Sequence, residues 1–302
     1  MKGLPRMEYA NPGTLEEALD FLSTYGEESR LIAGGTDLIP SLQENSAGVR
    51  RLVDLWGLRE SLGRAVIENG VLNIGALATL SRIASLSSGL LAGSPLSVLS
   101  DAASLMGCEQ TRSLGTVAGN LAAAVPSADM APPLMALDAV AVLRSASGER
   151  KVAVKDLFAG PKKSRISQDE ILTEILVPSL PAGSACVFGK FGRRKALTLA
   201  IVNVAVKAEP AGTNGGGAPL VKNVRIALGA VAPTPMRAFE TESWLDGKQL
   251  TDSVVSEAGA RCAGESRPIS DIRASEWYRR ELVAVLVERA LREIRTRIAG
   301  SS

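Results

Sequence analysis

Two short stretches of glycine and hydroxylated residues set the tightest limits on how this chain can fold. Leu31-Ile32-Ala33-Gly34-Gly35-Thr36-Asp37-Leu38 lies near the N-terminus, and Thr111-Arg112-Ser113-Leu114-Gly115-Thr116-Val117-Ala118-Gly119-Asn120 lies well downstream. Glycine has no Cβ, so each stretch lets the main chain press against another surface and reach angles closed to other residues. Residues 30–33 read as a short apolar strand ending at Gly34-Gly35, which makes the first stretch a strand-to-loop turn. A Gly-Gly pair serves a plain tight turn as readily as a binding loop. Gly115-Thr116-Val117-Ala118-Gly119-Asn120 is more specific, because two glycines frame a threonine and the run ends in an amide that both donates and accepts. Small residues of this kind suit convergent N–H groups around an anion or a main chain laid against a flat ring.

Composition narrows the classes of function. A chain of 302 residues, 46% of them hydrophobic, exceeds the size at which single cores split, so two or three subdomains are expected. With 34 basic against 32 acidic side chains the net charge is +2, too weak a field to suggest nucleic acid. No apolar run approaches the roughly 18 residues of a membrane span, and Met1-Lys2-Gly3-Leu4-Pro5-Arg6 lacks the apolar core of a secretion signal; a cytoplasmic protein is the expectation. The chain has no histidine, which rules out Ser-His-Asp and Cys-His catalysis and His-ligated metals. No GxGxxG follows a strand and no GxxxxGK[ST] occurs, so the common phosphate-binding loops are missing. Cys108, Cys186 and Cys262 stand far apart and read as buried free thiols, with neither a disulfide framework nor metal spacing.

The remaining pattern alternates strands and helices. A strand is expected at 6–10 and a helix at 15–24, with Thr14 as N-cap, Glu17 completing a capping box and Gly26 closing it. Strands follow at 51–55 and 71–77, then a helix from Thr79 to about 86 and another over 95–106, so that the second glycine stretch begins as a helix ends. A helix over 128–137 carries Pro132-Pro133 in its first turn, 139–144 and 150–154 make a hairpin, and a strand at 171–177 stops at Pro178. Two prolines and a glycine within 178–183 mark a boundary, after which 186–191, 199–208 and 224–231 read as a sheet. Residues 210–219, with Gly212 and Gly215-Gly216-Gly217, read as a hairpin loop. In the last helix Leu282, Leu286, Ala290, Ile294 and Ile298 recur every four residues, placing them on a sheet or a partner helix, while Arg279, Arg280, Glu288, Arg289 and Arg295 are expected outside. Ser127 and Asp129 precede a helix, where a hydroxyl and a carboxylate are either caps or ligands.

Taken together, the two stretches resemble the FAD-binding medium subunit of the molybdenum hydroxylases, the group of xanthine dehydrogenase, carbon monoxide dehydrogenase and aldehyde oxidoreductase. The resemblance runs nearly end to end: Asn11-Pro12-Gly13-Thr14, Ala33 to Leu38, Leu52-Val53-Asp54-Leu55, Leu72-Asn73-Ile74-Gly75-Ala76, Arg112 to Asn120, Ser127-Ala128-Asp129, Ile226 to Val231, and Ser270 to Ser275 with Tyr278-Arg279-Arg280. It implies an α+β chain with a two-subdomain FAD-binding domain of the vanillyl-alcohol-oxidase (PCMH) type, residues 1–58 and 59–180, and a C-terminal antiparallel sheet with helices, residues 181–302. Carried over by position, Ile32, Ala33, Gly34, Gly35, Thr36 and Asp37, then Gly115, Thr116, Val117, Ala118, Gly119 and Asn120, with Ser127 and Asp129, become FAD contacts. Met106 falls where the family has an aliphatic flavin contact, and is otherwise a helix core residue. Lys190 matches a family lysine near the flavin pyrimidine edge, where a partly buried cation favours the negative charge of the reduced ring; Arg193, Arg194 and Lys195 read as a solvated basic turn.

The resemblance further implies an oxidoreductase subunit of a heteromeric complex. FAD is held in this chain, while [2Fe–2S] clusters and molybdopterin belong to a small and a large partner subunit. Electrons pass from the clusters through FAD to NAD or another acceptor, and no catalytic side chain or metal is expected here. A self-sufficient flavin oxidase and a non-catalytic nucleotide-binding assembly module are the alternatives.

Overall fold

The computed structural model describes residues 3–4, 6–194, 197–212 and 217–300; Lys195, Gly215 and Gly216 lie outside them. The strands Glu8–Ala10, Arg51–Asp54 and Ser29–Ile32 form, in that order, a parallel three-stranded sheet. The crossover from the first strand is the helix Leu15–Tyr25, which buries Ala18, Leu19 and Leu22. Thr14 Oγ1 accepts the Glu17 N–H at 3.1 Å, and the Glu17 carboxylate accepts from Gly13 N at 2.7 Å. The capping box therefore closes one residue earlier than the pattern implies. Gly26 ends the helix in right-handed geometry, at φ −53°, and leads into a 3-10 turn.

Five antiparallel strands build the second sheet, in the order Ala65–Glu68, Val71–Gly75, Ile171–Pro178, Val140–Ser145 and Gly148–Ala153. The helices Leu80–Ala84, Val98–Ser104, Val117–Ala122 and Ala131–Ala136 share its core. Pro132 and Pro133 occupy the first turn of the last of these, where a missing N–H costs nothing.

The third sheet is antiparallel, in the order Ala185–Phe191, Val202–Gly212, Leu220–Gly229 and Met236–Arg237. Strand alternation gives it two buried faces. Val202, Val204 and Val206 join a core with the helices Asp252–Glu265 and Glu276–Gly300, while Cys186, Ala205 and Ala227 face the core of the second sheet. The long last helix packs on both the sheet and the helix Asp252–Glu265. Arg279, expected outside, is 3% exposed. It lies in the first turn, where the helix meets the sheet, and donates to Ile201 O at 2.6 Å, Ala230 O at 3.0 Å and Asp271 at 2.9 Å.

Asp138, with a left-handed φ of 52°, ties the second sheet to the third. Its carboxylate accepts from Arg225 Nε at 2.9 Å and Arg237 Nη1 at 3.0 Å. Arg237 is paired in turn with Glu242, whose carboxylate accepts the Ile226 N–H at 2.7 Å.

Among the described residues no helix is long and apolar enough to cross a membrane, and no His/Cys/Asp/Glu cluster could hold a metal ion. All three cysteines are free. Burial pushes the Cys186 and Cys262 thiols up to about 12. Cys108 departs from the expectation of a buried thiol: it is only partly covered, and the Thr111 hydroxyl, 3.3 Å away, lowers its pKa.

Candidate functional site

The first glycine stretch ends the edge strand Ser29–Ile32, where Leu55 N donates to Ile32 O at 2.9 Å. Gly34 then lies directly on the end of the helix Glu109–Leu114. A Cβ at Gly34 would stand 1.9 Å from Leu114 O and 2.8 Å from Gly115 N, so only glycine fits. Gly35 turns the chain at φ 66°, and Thr36 Oγ1 comes to 3.4 Å from where a Gly115 Cβ would be. The two glycine stretches, far apart in the sequence, thus touch backbone to backbone.

What this contact leaves facing outward is main chain. Among the described residues, the N–H groups of Ala33, Gly34, Gly35, Thr36 and Asp37 donate to no protein acceptor. Residues 33–35 are half-buried and Thr36 and Asp37 exposed. Asp37 begins the helix Leu38–Glu44 without capping it through its side chain, so the loop expected after Gly35 is in fact a turn into a helix.

The second stretch joins two short helices that the sequence pattern did not reveal, Glu109–Leu114 and Val117–Ala122. Leu80 N donates to Gly115 O at 2.8 Å and Val117 N to Ala78 O at 3.2 Å, pinning the junction. Thr116 Oγ1 accepts the Gly119 N–H at 3.0 Å, which commits its hydroxyl to the helix. Thr116, Val117 and Ala118 are buried, Gly119 is exposed and Asn120 half-buried. Asn120 Oδ1 accepts from Met130 N at 3.2 Å, leaving its Nδ2 open, and the Ser127 hydroxyl is likewise without a partner among the described residues.

The bond from Met130 to Asn120 carries the site to Asp129, which is not a helix cap. Asp129 Oδ2 accepts from Lys190 Nζ at 2.6 Å and Oδ1 from Asn203 Nδ2 at 2.7 Å. Lys190 Nζ also donates to Leu105 O at 3.0 Å. The pair keeps only 4% and 8% of its side-chain exposure, so Lys190 belongs to no solvated turn, unlike the exposed Arg193 and Arg194. Burial pushes the Asp129 carboxyl above its usual range, and Lys190 and Asn203 draw it only part of the way back. We take the carboxylate as charged, because two donors at hydrogen-bond distance, one a cation, favour that form. Met106 follows Leu105, packs half-buried against the second sheet's core and gives its carbonyl to Arg112 Nη1 at 2.8 Å.

Asn203 escaped the sequence reading. Its signal was a lone amide inside Val202-Asn203-Val204 of an otherwise apolar strand, a position where a polar group needs a partner.

The whole arrangement offers unspent N–H donors on one side and a buried, half-neutralised cation on the other. That combination fits a group with a diphosphate and a ring that gains negative charge, as FAD does. Residues 5–180, more than half of the chain, match the family described as the FAD binding domain in molybdopterin dehydrogenase. The chain belongs to this family. Residues 188–294 match the CO dehydrogenase flavoprotein C-terminal domain, so the molybdopterin dehydrogenase pattern continues through the third sheet. The glyceraldehyde dehydrogenase medium chain of Sulfolobus acidocaldarius is 34% identical over 96% of this chain and 99% of its own. The nicotine 6-hydroxylase medium subunit of Paenarthrobacter nicotinovorans is 31% identical over 96% of this chain and 98% of its own. Carbon monoxide dehydrogenase from Hydrogenophaga pseudoflava, in a form lacking the Mo-pyranopterin moiety, superposes with a TM-score of 0.88 at 30% identity, over 98% of this chain and 99% of that one. The chain is therefore an FAD-binding oxidoreductase subunit of the molybdenum hydroxylase family, with the α+β fold expected of it.

Proposed function

We propose that this chain is the electron-transfer subunit of a cytoplasmic molybdenum hydroxylase complex, assembled with a small [2Fe–2S] subunit, whose clusters supply its electrons, and a large molybdopterin subunit. The observation that carries the reading is the packing of Gly34 on Leu114 and Gly115, which brings two separate glycine stretches together beside a run of unbonded N–H groups. FAD, when bound, exchanges electrons singly or in pairs, which suits it to link iron–sulfur clusters to a two-electron acceptor such as NAD.

The chain's own residues bind and tune. The main-chain donors of residues 33–37 would take the diphosphate, and the small residues at 115–120 would lie along the ribityl chain, with Asn120 and Ser127 supplying side-chain donors. Lys190, held by Asp129 and Leu105 O, keeps one N–H and its positive charge for the pyrimidine edge of the ring. Residues 1–58 and 59–180 form the two walls, and 181–302 contributes Lys190. Neither a general base nor a metal is required.

Purified from its host, the chain should carry a flavin absorption spectrum or acquire one when mixed with FAD. A colourless chain that takes up no FAD refutes the reading. The acceptor is tested by adding NADH without oxygen: bleaching of the flavin band supports NAD, whereas bleaching by dithionite alone excludes it.

A further inference from the structure

Lys190, Asn203 and Gly229 form one row across three neighbouring strands, each the register partner of the next. Cross-strand partners present their side chains on one face, and here that face meets Asp129. Asn203 is fully buried, and the chemistry of its partner fixes which way its amide points. An ionised carboxylate only accepts, so Nδ2 must face Asp129 and Oδ1 must face away. That outward oxygen has no hydrogen-bond partner among the described residues. It rests on Gly229, where a Cβ would stand 2.0 Å from it. The fold thus tolerates an unpaired buried acceptor, and a position barred to every side chain, for the sake of one N–H on Asp129. Such tolerated costs gather at functional sites.

We propose that Asn203 is a positioning residue of the flavin site: by holding one oxygen of Asp129 it keeps that carboxylate charged and aimed at Lys190, and so sets how strongly the site prefers reduced over oxidised FAD. This rests on the FAD reading above. With Asp129 charged, much of the Lys190 charge is neutralised and the anionic reduced ring gains little. Without the Asn203 donor, a carboxyl already disfavoured by burial takes up a proton. Lys190 then acts unopposed, and reduced FAD is favoured.

The test is the midpoint potential of the full chain reconstituted with FAD, measured against redox dyes near neutral pH, with FAD affinity and melting temperature alongside. Asn203→Leu should raise the affinity ratio of reduced to oxidised FAD about tenfold, a shift of about +30 mV for a two-electron couple. Asp129→Asn should shift it the same way, and the double variant should match Asp129→Asn alone, because Asn203 acts through Asp129. Should the leucine variant fail to fold, Asn203→Val, smaller and suited to a strand, carries the same comparison. A merely structural role lowers the melting temperature and leaves the potential alone. The proposal is overturned by an Asn203 variant that holds FAD with a ratio within twofold of wild type, or by an Asn203 shift that adds in full to that of Asp129→Asn. A wild-type chain that binds no FAD overturns the functional reading, and this inference with it.

Discussion

Replacing Gly34 by alanine tests the contact on which the site depends. The added methyl carbon would start 1.9 Å from Leu114 O and 2.4 Å from Leu114 C, while real Cβ atoms essentially never come within 3.0 Å of a heavy atom. The backbones at 34 and 114 must therefore part by about 1 Å, with no flexible side-chain end to yield. Forced insertion of this kind costs about 1–3 kcal/mol. At about 2–4 °C per kcal/mol for a long chain, the melting temperature should fall by roughly 2–12 °C. Because the gap opens between the two glycine stretches, FAD should also bind at least about tenfold more weakly, or about 1.4 kcal/mol. Thermal melting and a titration of FAD fluorescence read the two effects separately. Gly264→Ala is the control: that helical glycine has nothing within 4 Å of its Cβ position, so alanine should leave FAD binding unchanged and stability equal or better. A Gly34→Ala chain that melts and binds FAD like wild type refutes the reasoning, as does a Gly264→Ala chain that loses FAD equally.

Three other outcomes follow from the geometry. Lys190→Met strands a buried carboxylate and should cost about 3–5 kcal/mol; adding Asp129→Asn should recover a good part, and urea unfolding of the double variant, if no better than the single, counts against the pairing. Burial opposes ionisation of Asp271, but the N–H groups of Arg273 and Ala274 and the Arg279 guanidinium outweigh it and hold the carboxyl at about 2, against 3.8 in an unfolded chain. That contribution is complete above about pH 4 and lost as pH falls through about 2, so acid unfolding followed by circular dichroism should steepen in this window for wild type and less so for Asp271→Asn; parallel curves contradict it. A maleimide at mildly alkaline pH should label Cys108 in the folded chain and reach Cys186 and Cys262 only in urea, as intact-mass and peptide mapping will show; rapid native labelling of either buried thiol overturns that assignment.

The sequence revealed whatever repeats or punctuates. The four-residue recurrence from Leu282 to Ile298 located the last helix, Pro132-Pro133 located a helix start, and Gly34-Gly35 located the end of a strand. The helices Glu109–Leu114 and Val117–Ala122 were illegible because each is six residues long, too short to display a helical period. Arg279 was misread for a related reason: its charge fits the outer face of an isolated helix, and only the docking of the first turn on Ile201 and Ala230 shows where its donors go. At Asp129 the choice between cap and ligand was open until Lys190 and Asn203, distant in sequence, came into contact with it. Long-range pairing of this kind leaves no local trace.

The three ties between the segment 126–138, which includes the helix Ala131–Ala136, and the third sheet with its C-terminal end have a further consequence. Ala230 N donates to Pro126 O at 2.7 Å, Asn203 and Lys190 hold Asp129, and Arg225 and Arg237 hold Asp138. A fragment cut after residue 180 would keep both glycine stretches and still lack every charged or amide partner of these two aspartates. The matches at 5–180 and 188–294 are therefore poor units for exchange between relatives. A chimera that joins one protein's N-terminal segment to another's C-terminal segment inherits a contact whose halves were never fitted to each other, unless the row at 190, 203 and 229 travels with Asp129.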